Sequence, residues 1–127
     1  DCRNRNIAPN CNFEEVFGPS YQSFTYDQFS FIILDNSDNY LGMREEQWKW
    51  LFQEFQKAED AQVKGIYVFI HEPLYHPSSA HFMGRIEGNL KTEARNLIRS
   101  LSERGVKKIF YFIKELFFFS SLFCRFN

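Results

Sequence analysis

The chain has 127 residues, enough for one domain with a single core and too few for two. Its formal net charge of -1 leaves no basic field to attract an anionic membrane surface, and no nucleic-acid partner is expected. Aromatic side chains make up 19% of the residues, with 16 phenylalanines, much of this content lying after Phe110.

The chain starts at Asp1, and no basic stretch followed by an apolar one comes after it, so it reads as a processed product or a fragment. Of the three cysteines, Cys2 and Cys11 could close a short loop and Cys124 would be left over. No C-x-x-C spacing points to zinc or redox work, so free or incidental thiols are the expectation and localisation stays open.

Residues 1–12 are polar with no apolar period and read as an irregular segment. Phe13 to Phe17 reads as a short helical turn or packed loop closed by Gly18-Pro19. Ser20 to Tyr26 alternates as a strand does, and Phe29 to Asp35 is a second strand with the apolar centre Phe31-Ile32-Ile33-Leu34. The short Asp27-Gln28 link predicts a hairpin, although it lacks the glycine that the tightest primed turns prefer.

Asn36 to Gly42 has loop composition. Trp48, Leu51, Phe52 and Phe55 then recur at i, i+3, i+4 and i+7, predicting an amphipathic helix over Arg44 to Ala58 with Glu45 and Glu46 at its positive end. Gln47 to Leu51 could be taken for an aromatic binding box, but one aromatic stripe at helical spacing is what a helix covering a sheet requires. Gly65 to Ile70 is a buried strand that Pro73 must end, followed by a long loop to Asn89. Ala94, Leu97, Ile98 and Leu101 mark a second helix over Lys91 to Arg104, capped by Gly105, and Val106 to Phe112 is a last strand. The order implies an α/β fold: a mixed sheet with a β-hairpin and packed helices. The Phe-rich stretch 116–126 is too short on either side of Lys114-Glu115 to cross roughly 30 Å of hydrocarbon, so no transmembrane segment is expected there. It must pack on something or pair with another chain, unless it is not native sequence.

Chemistry gathers after the Gly65 strand, where His71, Glu72, Tyr75, His76 and His81 lie close in sequence. Open α/β sheets place ligands at the carboxyl ends of strands, which is where His71 falls. A helical zinc-protease site is excluded, because His71 and His76 are i and i+5 and Pro73 interrupts any helix. A Ser-His-Asp triad stays open, but the sequence contains no Gly-x-Ser-x-Gly elbow to place its nucleophile, and no Gly-rich phosphate loop. Taken alone, a histidine at a strand end is structural more often than it is a ligand.

Four segments keep a common order: Phe17-Gly18-Pro19-Ser20-Tyr21-Gln22-Ser23-Phe24-Thr25-Tyr26, Phe31-Ile32-Ile33-Leu34-Asp35-Asn36-Ser37, Glu46-Gln47-Trp48-Lys49-Trp50-Leu51 and Val68-Phe69-Ile70-His71-Glu72-Pro73-Leu74-Tyr75. Together, over about residues 13–110, they resemble the second half of a calcineurin-like metallophosphoesterase. That resemblance implies a four-layer α/β/β/α sandwich and hydrolysis of phosphate mono- or diesters at a two-metal site. The metals, zinc, manganese or iron, would lie about 3.5–4 Å apart. The histidine of the family's strand-end His-x-Pro element is a metal ligand and falls on His71. Tyr75, His76 and His81 become candidates for a phosphate-facing rim, with solvated loop residues as the plainer reading.

The departures are as informative. The family's Asp-x-His, Gly-Asp-x-x-Asp and Gly-Asn-His motifs do not occur between Asp1 and Asn12, and Ile113 and Glu115 stand where its Gly-His-x-His would supply two imidazoles. The expectation is a partial phosphoesterase domain over 13–113, truncated before Asp1, with no catalytic residue set of its own and doubtful metal binding. Residues 114–127 would form a hydrophobic tail. The alternative is a non-catalytic interaction or structural module that self-associates through residues 116–126.

Overall fold

A computed structural model describes residues 16, 18–38, 41–76, 82–83, 85 and 88–111. Expectations for 1–15, Phe17, His81, Ile113, Glu115, the cysteines and the 116–126 segment lie outside the described residues.

The described elements are β1 (Gln22–Tyr26), β2 (Phe29–Leu34), α1 (Glu45–Asp60), β3 (Gly65–Ile70), α2 (Gly88–Glu103) and β4 (Val106–Tyr111). The strands form one sheet in the order β1-β2-β3-β4, with β1 antiparallel to β2 and the other pairs parallel. This is the expected mixed α/β architecture with its hairpin. Asp27 and Gln28 make the turn with φ of 44° and 68°, the pattern of a primed two-residue loop. Gln28 holds that conformation without a glycine's freedom, at a cost of about 1–2 kcal/mol.

β2-α1-β3 and β3-α2-β4 each step to the neighbouring strand in the same direction across the sheet. Right-handed crossovers therefore put both helices on one face. Period-2 alternation turns Ile32, Leu34, Ile66, Val68 and Ile70 toward them, where they join Leu51, Phe55, Leu90, Ala94, Leu97 and Leu101 in one buried cluster. Each large apolar side chain so buried contributes about 1.5–3 kcal/mol against chain entropy.

The opposite face carries Phe24, Phe31, Tyr67, Phe69 and Phe110. Their rings form a band across the strands: Phe24 stacks on Phe31 at 4.9 Å, Phe31 on Tyr67 at 5.5 Å, Tyr67 meets Phe110 at 6.4 Å, and Phe69 stacks on Phe110 at 4.8 Å. Among the described residues no helix or second sheet covers this band.

α1 differs from expectation in which side it buries. Its buried stripe is Gln47, Leu51, Glu54, Phe55 and Ala58, whereas Phe52 is 45% exposed. Two polar residues can sit on the inner stripe because their side chains are bonded. Ser23 Oγ donates to Glu54 Oε2 at 2.5 Å, and Lys57 Nζ lies 2.6 Å from Glu54 Oε1. Gln47 holds the backbone after β2. α2 starts at Gly88 rather than Lys91, and the chain leaves it through Gly105 at φ 67°, the left-handed position expected of its C-terminal glycine.

Candidate functional site at the carboxyl ends of β2 and β3

The covered face takes Ile66, Val68 and Ile70 of β3, so the next residue, His71, emerges on the aromatic side and is solvent-exposed. The parallel register sets Leu34 opposite Ile70, which brings residues 35–37 alongside the turn after β3. Asn36 continues the buried series of Ile32 and Leu34 and is itself fully buried. Its Nδ2 donates to the Glu72 carbonyl at 3.0 Å, and its Oδ1 accepts the Glu72 N–H at 2.8 Å. One side chain thus imitates a further pair of ladder bonds and fixes the backbone next to His71. The chain is held again beyond this point, where the Met83 N–H donates to the Pro73 carbonyl at 2.8 Å over buried Leu74.

Asp35 is clamped from the helix side. Gln47 Oε1 accepts its N–H and Gln47 Nε2 donates to its carbonyl, both at 2.7 Å. Its carboxylate looks the other way and accepts from Ser37 N–H at 3.0 Å and Ser37 Oγ at 2.6 Å, an Asx-type turn. His71, Asp35 and Ser37 edge a groove of about 630 Å³ whose apolar floor is Phe24, Ile33 and Phe69. An imidazole, a carboxylate and a hydroxyl therefore rim an apolar floor at the strand ends.

Two of the three rim residues expected from sequence fall among the described residues. Tyr75 is 57% exposed with its ring 6.2 Å from Phe82, His76 is half-buried, and neither lines the groove; His81 is outside the described residues. His71 is thus brought together with Asp35 and Ser37 rather than with Tyr75 and His76. Imidazole and carboxylate suit zinc, manganese or iron. The Asp35 carboxylate, however, is engaged by Ser37, and among the described residues no three His, Cys, Asp or Glu side chains converge. The described donors do not amount to a two-metal centre.

The tryptophans are packing groups. Trp50 meets Tyr21 at 4.9 Å, and Trp48 Nε1 donates to Glu93 Oε1 at 3.1 Å, which also accepts the Met43 N–H at 2.8 Å. Loop composition alone does not single out Asn36, and the aromatic stripe of the helix does not include Gln47. The signal was present: Asn36 is the next step in the alternation Ile32, Leu34, and Gln47 lies at i−4 from Leu51 on the inner stripe.

No helix among the described residues is long and apolar enough to cross a membrane. No family model matches the chain, and no curated protein matches it.

Proposed function

We propose that this chain is part of a metal-dependent phosphoesterase of the calcineurin-like type, with His71 as one ligand of a two-metal site that these 127 residues do not complete. The observation that supports it is the placement of His71. It leaves a buried parallel strand on the side of a groove, its neighbour Glu72 is held by Asn36, and Asp35 and Ser37 of the adjacent strand end face the same space. A crevice beyond the carboxyl ends of parallel strands is where open α/β sheets place ligands, and an imidazole beside a carboxylate suits a metal. In this reading the helix-covered sheet is one α/β half of a four-layer sandwich, and the aromatic face is the side on which the other sheet layer stacks.

The test is metal titration by calorimetry together with hydrolysis of bis-p-nitrophenyl phosphate in zinc or manganese. Weak binding that is lost in His71→Ala, with no turnover above that of the variant, is expected. One or two tightly bound metals with turnover abolished by His71→Ala would overturn the incompleteness of the site. Metal binding unchanged in His71→Ala would overturn the ligand assignment.

A further inference from the structure

A sheet leaves backbone groups unused along its edges, and β1 forms one edge: among the described residues it pairs with β2 alone. Tyr26 and Phe29 flank the two-residue turn and so exchange both of their backbone hydrogen bonds. Alternation then makes Phe24 with Phe31, and Gln22 with Ile33, the next bonded pairs. The N–H and C=O groups of Ser23 and Thr25 therefore point away from β2, out of the edge.

Natural sheets blunt such an edge with lysine, proline, an inward-pointing charge or a bulge. β1 carries none of these. It reads Gln-Ser-Phe-Thr-Tyr, and its register with β2 runs unbroken from Gln22 to Tyr26. Phe24 and Tyr26 are 52% and 73% exposed on one face, and Thr25 is exposed on the other, so the helix layer does not overhang this end of the strand. Among the described residues the edge is open to a further strand.

The strand that fits it is another β1. A two-fold axis at Phe24 opposes every residue of the strand: Ser23 faces Thr25 of the second copy, Gln22 faces its Tyr26, and the two Phe24 side chains face each other. The outward N–H and C=O groups of Ser23 and Thr25 then meet as bonded pairs. Phe24 against Phe24 is the closer, non-bonded kind of pair, and the Ser and Thr hydroxyls meet on the helix side; both combinations stabilise sheets. An uncharged edge offers no complement to an acidic or basic peptide, whereas it complements itself at every position.

We infer that β1 is a self-association edge, at which two copies of the chain join antiparallel through residues 22–26, centred on Phe24. The product is one continuous sheet with both helix layers on the same side. Gln22 and Phe24 line the groove that His71 edges, so the second copy's Tyr26, opposite Gln22, joins the wall of that groove. Five residues at about 3.3 Å make an edge of roughly 16 Å, and the area it covers falls well short of the ~800 Å² per partner of a stable complex, so the pairing is weak and concentration-dependent. It requires neither a metal nor the phosphoesterase reading.

The test is amide hydrogen exchange by NMR on the full chain under reducing conditions, in dilute and in concentrated solution. An isotope-filtered NOE experiment on an equal mixture of ¹³C-labelled and unlabelled chains accompanies it. Protection of the Ser23 and Thr25 amides should rise several-fold with concentration, while the Phe24 amide, already bonded to Phe31, changes little. An NOE between the Phe24 Hα atoms of the two copies is expected. Thr25→Pro removes an outward N–H that β2 does not use, and Phe24→Lys sets two like charges face to face. Each should abolish the concentration dependence while helical circular dichroism is kept. Exchange at Ser23 and Thr25 that is the same at both concentrations would overturn the inference, as would association that both variants leave intact. Inter-copy NOEs that place a different segment beside β1 would overturn it in favour of that segment. Should either variant not fold, the exchange and NOE results on the parent chain decide. Because no readout involves metal or turnover, failure here is distinguishable from failure of the phosphoesterase assignment.

Discussion

The two faces of the sheet are built from the same strands and do different work. On the helix side, aliphatic residues of β2 and β3 interlock with α1 and α2, and even the polar groups there are bonded, Asn36 to Glu72 and Gln47 to Asp35. On the other side the residues are aromatic, half-buried against one another, and end at the strand tips in His71, Asp35 and Ser37. Stability therefore concentrates on one face, and the groups capable of chemistry or recognition collect on the other. Alternation along a strand ties the two together: Leu34 and Asn36 anchor the backbone from which Asp35 projects outward.

The widest gap between the faces should appear in paired truncations. Phe55→Ala, in the covered core, is expected to lose about 3–5 kcal/mol in urea unfolding. Tyr26→Ala, 73% exposed at the open-face corner of the hairpin, should lose under about 0.5 kcal/mol. Comparable losses would break the distinction between the faces.

Next in size is the strand-end anchor. Asn36→Ala removes two buried hydrogen bonds to the Glu72 backbone, an expected loss of roughly 3 kcal/mol with faster hydrogen exchange at the Glu72 amide. Asp35→Ala, one position away on the groove side, should cost markedly less, since it removes only a local turn with Ser37. A smaller effect is expected where α2 meets the entry to α1. Gly42 has φ of 60°, and an added Cβ would run into the Glu93 carboxylate and come within 2.8 Å of Leu90 Cδ2. Gly42→Ala should therefore lower stability by about 1–3 kcal/mol. The smallest change has the opposite sign: Gln28→Gly relieves the left-handed turn residue and should raise the thermal midpoint, by about 1 kcal/mol of stability, without altering either face.

Much of this organisation was legible in the sequence. The strand at Gly65–Ile70, the hairpin and the Gly105 stop follow from short-range signals, which depend on neighbours in the chain alone. The rotation of α1 was not legible. Ranking Phe52 above Gln47 and Glu54 as an inward residue follows hydrophobicity, but the bonding partners Asp35 and Ser23 belong to other elements, and only the assembled sheet supplies them. The site divides in the same way. His71 at a strand end could be read from Pro73 ending the strand, whereas its association with Asp35 depends on the parallel register of β2 and β3, which no local pattern encodes. Tyr75 and His76 were grouped with His71 by nearness in sequence, and the turn at Pro73 leaves them off the groove.

The proposal that His71 is a metal ligand on the aromatic side of the sheet is tested most directly by titrating manganese into ¹⁵N-labelled protein and following amide line broadening. Broadening centred on residues 70–72 and 35–37, and lost in His71→Ala, is the expected result. Broadening centred on the acidic start of α1 at Glu45 and Glu46, or a pattern unchanged in His71→Ala, would contradict it.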